Sequence, residues 1–282
     1  MTETGIYPDM PDEEYQAQPA LSATGMRHLL RSPLHYRHRM DNRKDTPEFD
    51  FGHAVHAKIL GVGAAMVAIP EAVLSKSGSI GTNAAREFIE GARADHLIPL
   101  KADVIAEVDA VVEAVLRNKK AARLLSLPGA SEISLFAVDP ETGVEIRGRL
   151  DRLTHSHVPI DVKTTTSVQR HKLRRAIESF GYDIQSEAYR HLIRLVMKIE
   201  PGPTQLIFVE SDPPHEVRVV QLSHPDWIKG GQAQMRAALA IYAECIATDT
   251  WPGEDDLDPD VEALDPNPWY ATEHIPEMEM VI

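Results

Sequence analysis

The feature that most restricts the fold of this chain is a change in sequence pattern that begins near residue 131. From there, apolar and polar residues alternate over three short segments, 131–136, 144–153 and 158–163, which is typical of β-strands. The connections between them, DPETG and residues 154–157, are rich in turn-forming residues. Because short connections join antiparallel neighbours, the sequence predicts a three-stranded antiparallel meander.

Helical periodicity dominates the sequence on both sides of the predicted meander. Ser22 is a favourable N-cap for a helix that Ser32-Pro33 interrupts, whereas segment 71–83 is rich in Ser and Gly and predicts a loop. The remaining elements are predicted as helices at 22–40, 51–60, 84–93, 102–125, 168–179, 182–199 and 224–248, and a hairpin of strands 205–210 and 216–222. This order of elements predicts an α/β protein.

Length and composition suggest one main domain with a short tail. We expect a single domain over 1–250, helical in its N-terminal part (1–127) and sheet-containing in 128–250, followed by an acidic, Pro-rich tail at 251–282. No segment approaches the roughly 18 apolar residues that cross a membrane, and no signal peptide is apparent. A cytoplasmic protein without membrane contact is therefore expected. The single cysteine excludes an intramolecular disulfide and a multi-cysteine metal site.

The charge is distributed unevenly. A net charge of −14 argues against nucleic-acid binding, but the acidic residues are concentrated in the tail, which has no Lys or Arg after residue 254. Cations cluster instead in residues 27–44 and 163–175. Such segments can hold phosphates, or they can be solvated helix faces.

Acidic residues and a lysine mark one region of the predicted meander. Side chains two apart on a strand share a side, so Asp161 and Lys163 project together, opposite two apolar neighbours. If the strands pair through the short turn, Asp151 lies nearby, and Glu132 on the first strand supplies a third carboxylate. Three carboxylates repel one another, and a divalent cation removes that cost. Oxygen-rich sites suit magnesium or manganese, so the pattern indicates metal-assisted phosphodiester hydrolysis.

An acid two residues before a lysine is, by itself, more often a surface ion pair, but the surrounding motifs are more specific. Glu132, RGRLD (147–151), IDVKTT (160–165), and then Gln185 and Tyr189 resemble the PD-(D/E)XK nuclease superfamily. Within it, the chain is most similar to the RecE-type (exonuclease VIII-like) enzymes of phages and prophages. The similarity also covers LSATGMRHLLRSPLHYRH, FGHAVHAKIL, YDIQSEAYR and the closing WPG and DPNPWY segments.

The resemblance implies a PD-(D/E)XK restriction-endonuclease-like core, in which helices flank a central mixed β-sheet that contains the antiparallel meander. It departs from the superfamily pattern at one point, because Leu150 rather than a proline precedes Asp151, and Pro159 lies near the second acid instead. It implies a two-metal type of phosphodiester hydrolase that uses Mg²⁺ or Mn²⁺. The implied metal ligands are His56, Glu132, Asp151, Asp161 and the backbone carbonyl of Val162.

The resemblance also implies catalytic roles for Glu132, Asp151, Asp161, Lys163, Gln185 and Tyr189. Lys163 would position the attacking water. Gln185 and Tyr189, four residues apart on one helical face, would brace the lysine or a phosphate. Two alternatives stay open: His56 could be a structural histidine, and the Gln185–Tyr189 face could simply pack against the sheet.

DNA contacts are expected near the catalytic strand. Arg149 shares a strand side with Asp151 and is the better candidate there for a phosphate contact than Arg147. Arg170, Lys172 and Arg174 follow the catalytic strand and would grip the DNA backbone.

The function implied by the resemblance is an exodeoxyribonuclease that degrades linear double-stranded DNA from its ends, 5′ to 3′, and leaves 3′ single strands for recombination. No GxxxxGK[ST] motif is present, so a motor is not expected, and processivity would come from a toroidal homo-oligomer, a trimer or tetramer. A RecT-like annealing protein would be the partner, in the bacterial host cytoplasm if the gene is phage-encoded.

Two other functions are considered. One is a Cas4-like or RecB-like single-strand nuclease, disfavoured because those groups often carry a four-cysteine iron–sulfur cluster. The other is a non-catalytic DNA-end-binding protein, disfavoured by the complete set of acids and lysine. The acidic tail from residue 254 could mimic DNA in the channel or be solvated and disordered.

Overall fold

The structure is a computed structural model that describes residues 3–8, 10–42, 47–257, 263 and 265–267, without the side chains of 47–49. Within these residues, seven strands form a central sheet and two short strands form a separate pair. The strands are β1 (Gly5–Tyr7), β2 (Leu21–Ser22), β3 (Met66–Ala68), β4 (Ile98–Leu100), β5 (Gly129–Val138), β6 (Glu145–Thr154), β7 (Pro159–Thr165), β8 (Gln205–Glu210) and β9 (Val217–Gln221).

The central sheet is mixed. Its strand order is β1-β5-β6-β7-β8-β9, with β2 beside β6. Strands β5, β6 and β7 pair antiparallel, which confirms the predicted meander, and β8 and β9 form the predicted hairpin. Strand β8 is parallel to β7, which requires a long crossover between them. The small pair β3 and β4, which is also parallel, was not predicted.

Helices surround the sheet. They are α1 (Asp12–Ala17), α2 (Ala23–Arg31), α3 (Pro33–Asp41), α4 (Pro47–Leu60), α5 (Asn83–Ala94), α6 (Ala102–Arg117), α7 (Lys119–Leu125), α8 (Arg170–Phe180), α9 (Tyr182–Met197) and α10 (Pro225–Thr248). The predicted helix 102–125 is divided at Asn118, whose side chain accepts backbone N–H groups at the start of α7. Ser22 caps α2 in the same way, as the sequence predicts, and Ser32, at the predicted interruption, caps α3. Helix α1 was not predicted.

The apolar core has a part on each side of the sheet. One part joins Ile146 and Leu150 of β6 to α2, α9 and α10. The other joins Ile160 and Val162 of β7 to α4 and α6, which confirms that these two residues face a core. Helices therefore cover both faces, as expected for the predicted α/β class. Among the described helices, none is both long and apolar enough to cross a membrane.

Helix α9 lies unusually close to strand β6. A Cβ atom placed on Gly148 would come within 2.8 Å of Leu192 and 2.9 Å of Tyr189. Only glycine permits this approach without displacement of the helix or of these two side chains. The contact fixes α9 against the strand that carries Asp151.

The beginning of the predicted tail packs on the helices. The Trp251 ring stacks on Tyr36, with the ring centroids 5.7 Å apart, and its edge contacts Tyr242. The carbonyl of Pro252 accepts a hydrogen bond from the Leu34 N–H. Residues 258–262, 264 and 268–282, which include the second half of the family-like DPNPWY segment, lie outside the described residues. So do residues 43–46, which include the end of the basic N-terminal segment.

Candidate active site

The site begins where strands β6 and β7 separate. Their ladder contains the pairs Arg152–Ile160 and Leu153–Pro159. Just beyond these pairs, Asp151 Oδ2 accepts the backbone N–H of Val162 at 2.7 Å. The buried Asp151 side chain therefore takes the place of a strand-to-strand hydrogen bond and is fixed between the two strands.

Glu132 interrupts the opposite ladder at the same level. Strands β5 and β6 pair on either side of it, through Ser131–Arg152 and Ile133–Leu150, but no ladder pair joins Glu132 to Asp151. The φ angle of Glu132 is 52°, in the left-handed region. For a residue other than glycine this conformation costs about 1 kcal/mol, and such costs concentrate at functional sites.

His56 of α4 completes a cluster with the two carboxylates. Its Nδ1 lies 3.2 Å from Asp151 Oδ2. One ligand atom each from His56, Glu132 and Asp151 lie within 4.8 Å of one another. An imidazole and two carboxylates form a donor set that suits a divalent cation. The structure thus places His56, Glu132 and Asp151 together.

Asp161 and Lys163 lie next to this cluster and, as expected, on the same side of β7. The Lys163 Nζ is 2.7 Å from Asp161 Oδ2. Although buried, this oxygen has no hydrogen bond of good geometry within the described structure, so it retains capacity for a further ligand. Asp161 is not part of the three-residue cluster, and its role as a metal ligand stays a prediction.

Gln185 and Tyr189 of α9 hold the acidic side of the site. Gln185 Nε2 donates to Asp161 Oδ1 at 3.3 Å and to the Tyr189 hydroxyl at 2.8 Å. That hydroxyl donates in turn to the backbone carbonyl of Arg149 at 2.7 Å. The pair therefore braces Asp161 and strand β6, whereas the sequence suggested that it braces the lysine or a phosphate.

Comparison with known proteins identifies the family. Residues 22–256 match the family described as "PDDEXK-like domain of unknown function (DUF3799)". The chain belongs to this family. The family description confirms the predicted PD-(D/E)XK superfamily, whereas the RecE-type subdivision stays a prediction. The matched range contains every residue of the candidate site. No curated protein matches the chain.

One solved structure shares the overall fold. A protein from Eubacterium rectale, titled "Putative exonuclease", aligns with a TM-score of 0.62 over 95% of this chain and 99% of its own. The two sequences are 10% identical, so the likeness concerns the fold alone. The structure titled SSO0001, also 10% identical, covers 75% of this chain and 81% of its own, but its TM-score of 0.29 carries no argument.

The charges in this PDDEXK-like site are strongly interdependent. Burial, followed by the charge of Asp151, raises the pKa of Glu132 to about 7. The same two causes raise the pKa of Asp161 to about 6. Burial opposes the charged form of Lys163 as well, but Asp161 and Asp151 outweigh it and the pKa of the lysine is raised. The carboxylates therefore disfavour joint ionisation, and a cation among them removes that cost.

His56 belongs to the same electrostatic unit. Burial lowers its pKa, but the charge of Asp151 and the hydrogen bond to it outweigh burial, so the net pKa is raised. The pKa of Asp151 is lowered in turn, since His56 and Lys163 together offset its burial. The imidazole and the carboxylate stabilise each other in the metal-free protein, and a metal ion would take the place of the histidine proton.

The residues predicted to bind DNA fall into two groups. The guanidinium of Arg149 donates to Ser134, to Asp12 and to the carbonyl of Met10, and it lies 4.5 Å from the Tyr15 ring. These contacts tie β6 to α1, and a phosphate would have to displace them. The second group is Arg170, Lys172 and Arg174, which are exposed on α8. Within the described structure, no hydrogen bond or ion pair holds their side chains. Their contact with DNA stays a prediction.

Tyr182 is a site residue that the sequence reasoning missed. The Lys163 Nζ lies 4.8 Å from the centroid of its ring, close enough for a cation–π interaction. Tyr182 begins α9 three residues before Gln185, so helical spacing could have placed both on the face that meets the lysine. The predicted metal ligand Val162 contributes its backbone N–H to Asp151, and the role of its carbonyl stays a prediction.

Proposed function

We propose that the protein is a divalent-metal-dependent exodeoxyribonuclease of the RecE type that degrades linear double-stranded DNA from its ends, in the 5′-to-3′ direction. The observation that carries the proposal is the cluster of His56, Glu132 and Asp151 beside the Asp161–Lys163 pair, within a PDDEXK-like fold. The donor set fits a magnesium or manganese ion. A binding module has no use for carboxylates that repel phosphate.

The residues have distinct tasks in this proposal. His56, Glu132 and Asp151 would hold the metal, with the Asp161 Oδ2 that faces Lys163 as a further ligand. A divalent cation bound there supplies stabilisation of the negative charge that develops on the phosphate under attack. Lys163 is protonated at neutral pH, because the neighbouring acids raise its pKa, and it would orient the attacking water as a hydrogen-bond donor.

The bracing contacts would keep this arrangement in place during the reaction. Gln185 holds Asp161, and Tyr189 holds both Gln185 and the strand that carries Asp151. Because the side chains lie on strands and on a helix fixed against them, little reorganisation is needed when the phosphate arrives.

Digestion of matched DNA substrates tests the proposal. Linear duplex DNA and a closed circle of the same sequence are incubated with Mg²⁺, with EDTA, and with a Lys163→Ala variant. Lys229→Ala, on an exposed position of α10, serves as the matched control. We expect only linear DNA to be consumed, no activity in EDTA, a loss of roughly 10²- to 10³-fold in Lys163→Ala, and full activity in the control.

The same experiment, with end-labelled duplex DNA and a single-stranded substrate added, separates the alternatives. Release of label from the 5′ end before the 3′ end would support the proposed direction. Digestion of single strands alone would favour a RecB-like enzyme, and binding of DNA ends without any cleavage would favour a non-catalytic protein. Cleavage of the closed circle would show an endonuclease and contradict the proposal.

A ring-shaped homo-oligomer is part of the proposal, since processivity without a motor requires that the product be retained. Light scattering coupled to gel filtration tests this directly: a trimer or tetramer supports it, and a monomer that degrades DNA processively contradicts it. A RecT-like annealing protein would be the partner that receives the 3′ single strand.

A further inference from the structure

A pocket opens beside Lys163, and the proposed reaction does not use this pocket. Its volume is about 190 Å³, and its lining includes Arg27, Lys163, Phe180, Tyr182 and Gln185. Helix α2 forms one wall, and the junction of α8 and α9 forms the other. Because Lys163 belongs both to this pocket and to the candidate active site, a molecule in the pocket would lie next to the reacting phosphate.

Arg27 supplies an available positive charge in this pocket. Its Cδ and Cγ atoms lie 3.3 and 3.4 Å from the position that a Cβ on Gly181 would occupy, so the side chain runs along the α8–α9 junction. Gly181 has a φ of 66°, which lets α8 end and α9 begin there. Within the described part of the chain, the Arg27 guanidinium has no hydrogen bond or ion pair. A half-buried arginine without a carboxylate partner is suited to a phosphate.

The positive charge continues away from the pocket. Arg27 and Arg31 lie four residues apart on α2, and Arg39 lies on α3. Burial, followed by the charges of Arg27, Arg39 and Arg31, lowers the pKa of His28 to about 4. None of these arginines pairs with an acid among the described residues. A polynucleotide that enters the pocket would therefore meet further cations along its backbone.

Phe180 gives the pocket an aromatic face. Its side chain is 56% exposed, although it is among the largest apolar groups. The ring stacks on Tyr182, with centroids 5.7 Å apart, and Tyr182 contacts the fully buried Phe208 at 5.9 Å. The exposed ring is thus supported from the core, and it presents an open face at the edge of a cationic pocket.

We propose that this pocket binds one unpaired nucleotide of the strand that is cut, with a phosphate at Arg27 and the base against Phe180. The inference rests on the proposed nuclease function and makes it more specific: the enzyme would separate the end of the duplex by at least one base before cleavage. Stacking on an aromatic ring is tolerant of sequence, so the pocket would hold any base.

A cycle of paired substitutions in protein and DNA tests the inference. Binding of a duplex with a short single-stranded end is measured by fluorescence anisotropy, in EDTA and in Ca²⁺, with an abasic nucleotide placed in turn at each position of that end. We expect Phe180→Ala to weaken DNA binding roughly tenfold. At the one DNA position whose base contacts the ring, the abasic nucleotide should weaken binding by the wild type but cause no further loss of affinity in Phe180→Ala. Phe180→Leu keeps an apolar side chain and should behave like Phe180→Ala.

Arg27→Ala should weaken binding to a similar extent, and it should be insensitive to an uncharged methylphosphonate at the matching phosphate. Arg86→Ala, an exposed arginine on α5, is the control and should bind like the wild type. The inference would be overturned if the protein and DNA substitutions weakened binding additively at every DNA position, or if Arg27→Ala and Phe180→Ala bound DNA like the wild type. In either case, magnesium-dependent cleavage by the wild type would leave the nuclease proposal standing. A wild-type protein that neither binds nor cuts DNA would overturn both.

Discussion

Replacement of Gly148 by alanine tests whether the close packing of α9 on strand β6 stabilises both the fold and the site. The new Cβ would stand 2.8 Å from a Leu192 methyl and 2.9 Å from two ring atoms of Tyr189. Real Cβ atoms do not approach so closely, so either the helix or both side chains must move. Tyr189 is fixed by its hydrogen bonds to Gln185 and the β6 backbone, which limits its ability to yield.

The expected cost follows from this geometry. Overpacking of a core by one methyl group typically costs about 1–3 kcal/mol, and we expect the upper half of that range because both neighbours belong to the same helix. Movement of α9 would also weaken the Gln185–Asp161 contact. Nuclease activity should therefore fall in conditions where the variant is still fully folded.

Urea unfolding followed by circular dichroism measures the change in the free energy of unfolding. Gly91→Ala is the matched control, since Gly91 lies inside α5 with nothing within 4 Å of an added Cβ. The control should gain up to about 1 kcal/mol, because alanine favours the helix. A Gly148→Ala variant as stable and as active as the wild type would refute the packing argument.

Three other predictions concern single side chains. Glu132→Gln should stabilise the metal-free protein by about 3 kcal/mol above pH 8 and by almost nothing below pH 4.5. Burial and the charge of Asp151 raise the pKa of Glu132 to about 7, so ionisation of this acid destabilises the folded state as the pH rises, and glutamine removes that cost. Asp139→Asn should cost about 2 kcal/mol at pH 7 and about half of that at pH 3, since hydrogen bonds from Arg236, Thr142 and His191 outweigh burial and lower the pKa of Asp139 to about 2. Tyr189→Phe should cost about 1–3 kcal/mol and reduce kcat, because two buried hydrogen bonds are lost. Urea unfolding in EDTA, at the stated pH values for the two acids, measures the changes in stability. The rate of digestion of linear DNA at saturating substrate measures kcat of Tyr189→Phe.

Each of these predictions has an outcome that contradicts it. Equal stabilisation by Glu132→Gln at pH 4 and pH 8 would show that the carboxylate is not destabilised by its surroundings. A cost of Asp139→Asn that does not change with pH would exclude the charge as its origin. Loss of stability in Tyr189→Phe with unchanged kcat would limit that residue to a structural role.

The sequence was sufficient to predict the elements that carry the site. Period-two alternation located β5, β6 and β7, Ser22 located the start of α2, and Ser32-Pro33 located the break between α2 and α3. Within β7 the alternation holds, so Asp161 and Lys163 were correctly placed on one side. Local pattern was reliable wherever a strand is regular.

Contacts that depend on irregular backbone could not be predicted in this way. The left-handed conformation of Glu132 breaks the ladder opposite Asp151, and no residue preference reveals it, since glutamate rarely adopts that conformation. Asp151 therefore groups with His56 and Glu132, whereas Asp161 groups with Lys163 and Gln185. Contacts between distant parts of the chain, such as His56 with Asp151, came only from family resemblance.

Short elements were missed for a different reason. Helix α1 has six residues, too few to show a period, and it is held by Arg147 and Arg149 through the ring and the carbonyl of Tyr15. Both arginines had been considered as DNA contacts because they share a strand side with Asp151. The covering helix explains why they are bound within the protein instead.

The packing of Trp251 decides where the chain can be truncated. Arg37 lies 5.3 Å from the Trp251 ring, and Tyr36 and Tyr242 enclose it, so these aromatic contacts come after α10 has ended. Removal of everything after residue 250 would uncover two tyrosines and damage the fold, and any change in DNA digestion would then be misread as an effect of the acidic residues. A protein that stops after Gly253 keeps the contacts of Trp251 with Tyr36 and Tyr242. Its rate of DNA digestion would therefore report the contribution of the acidic residues alone.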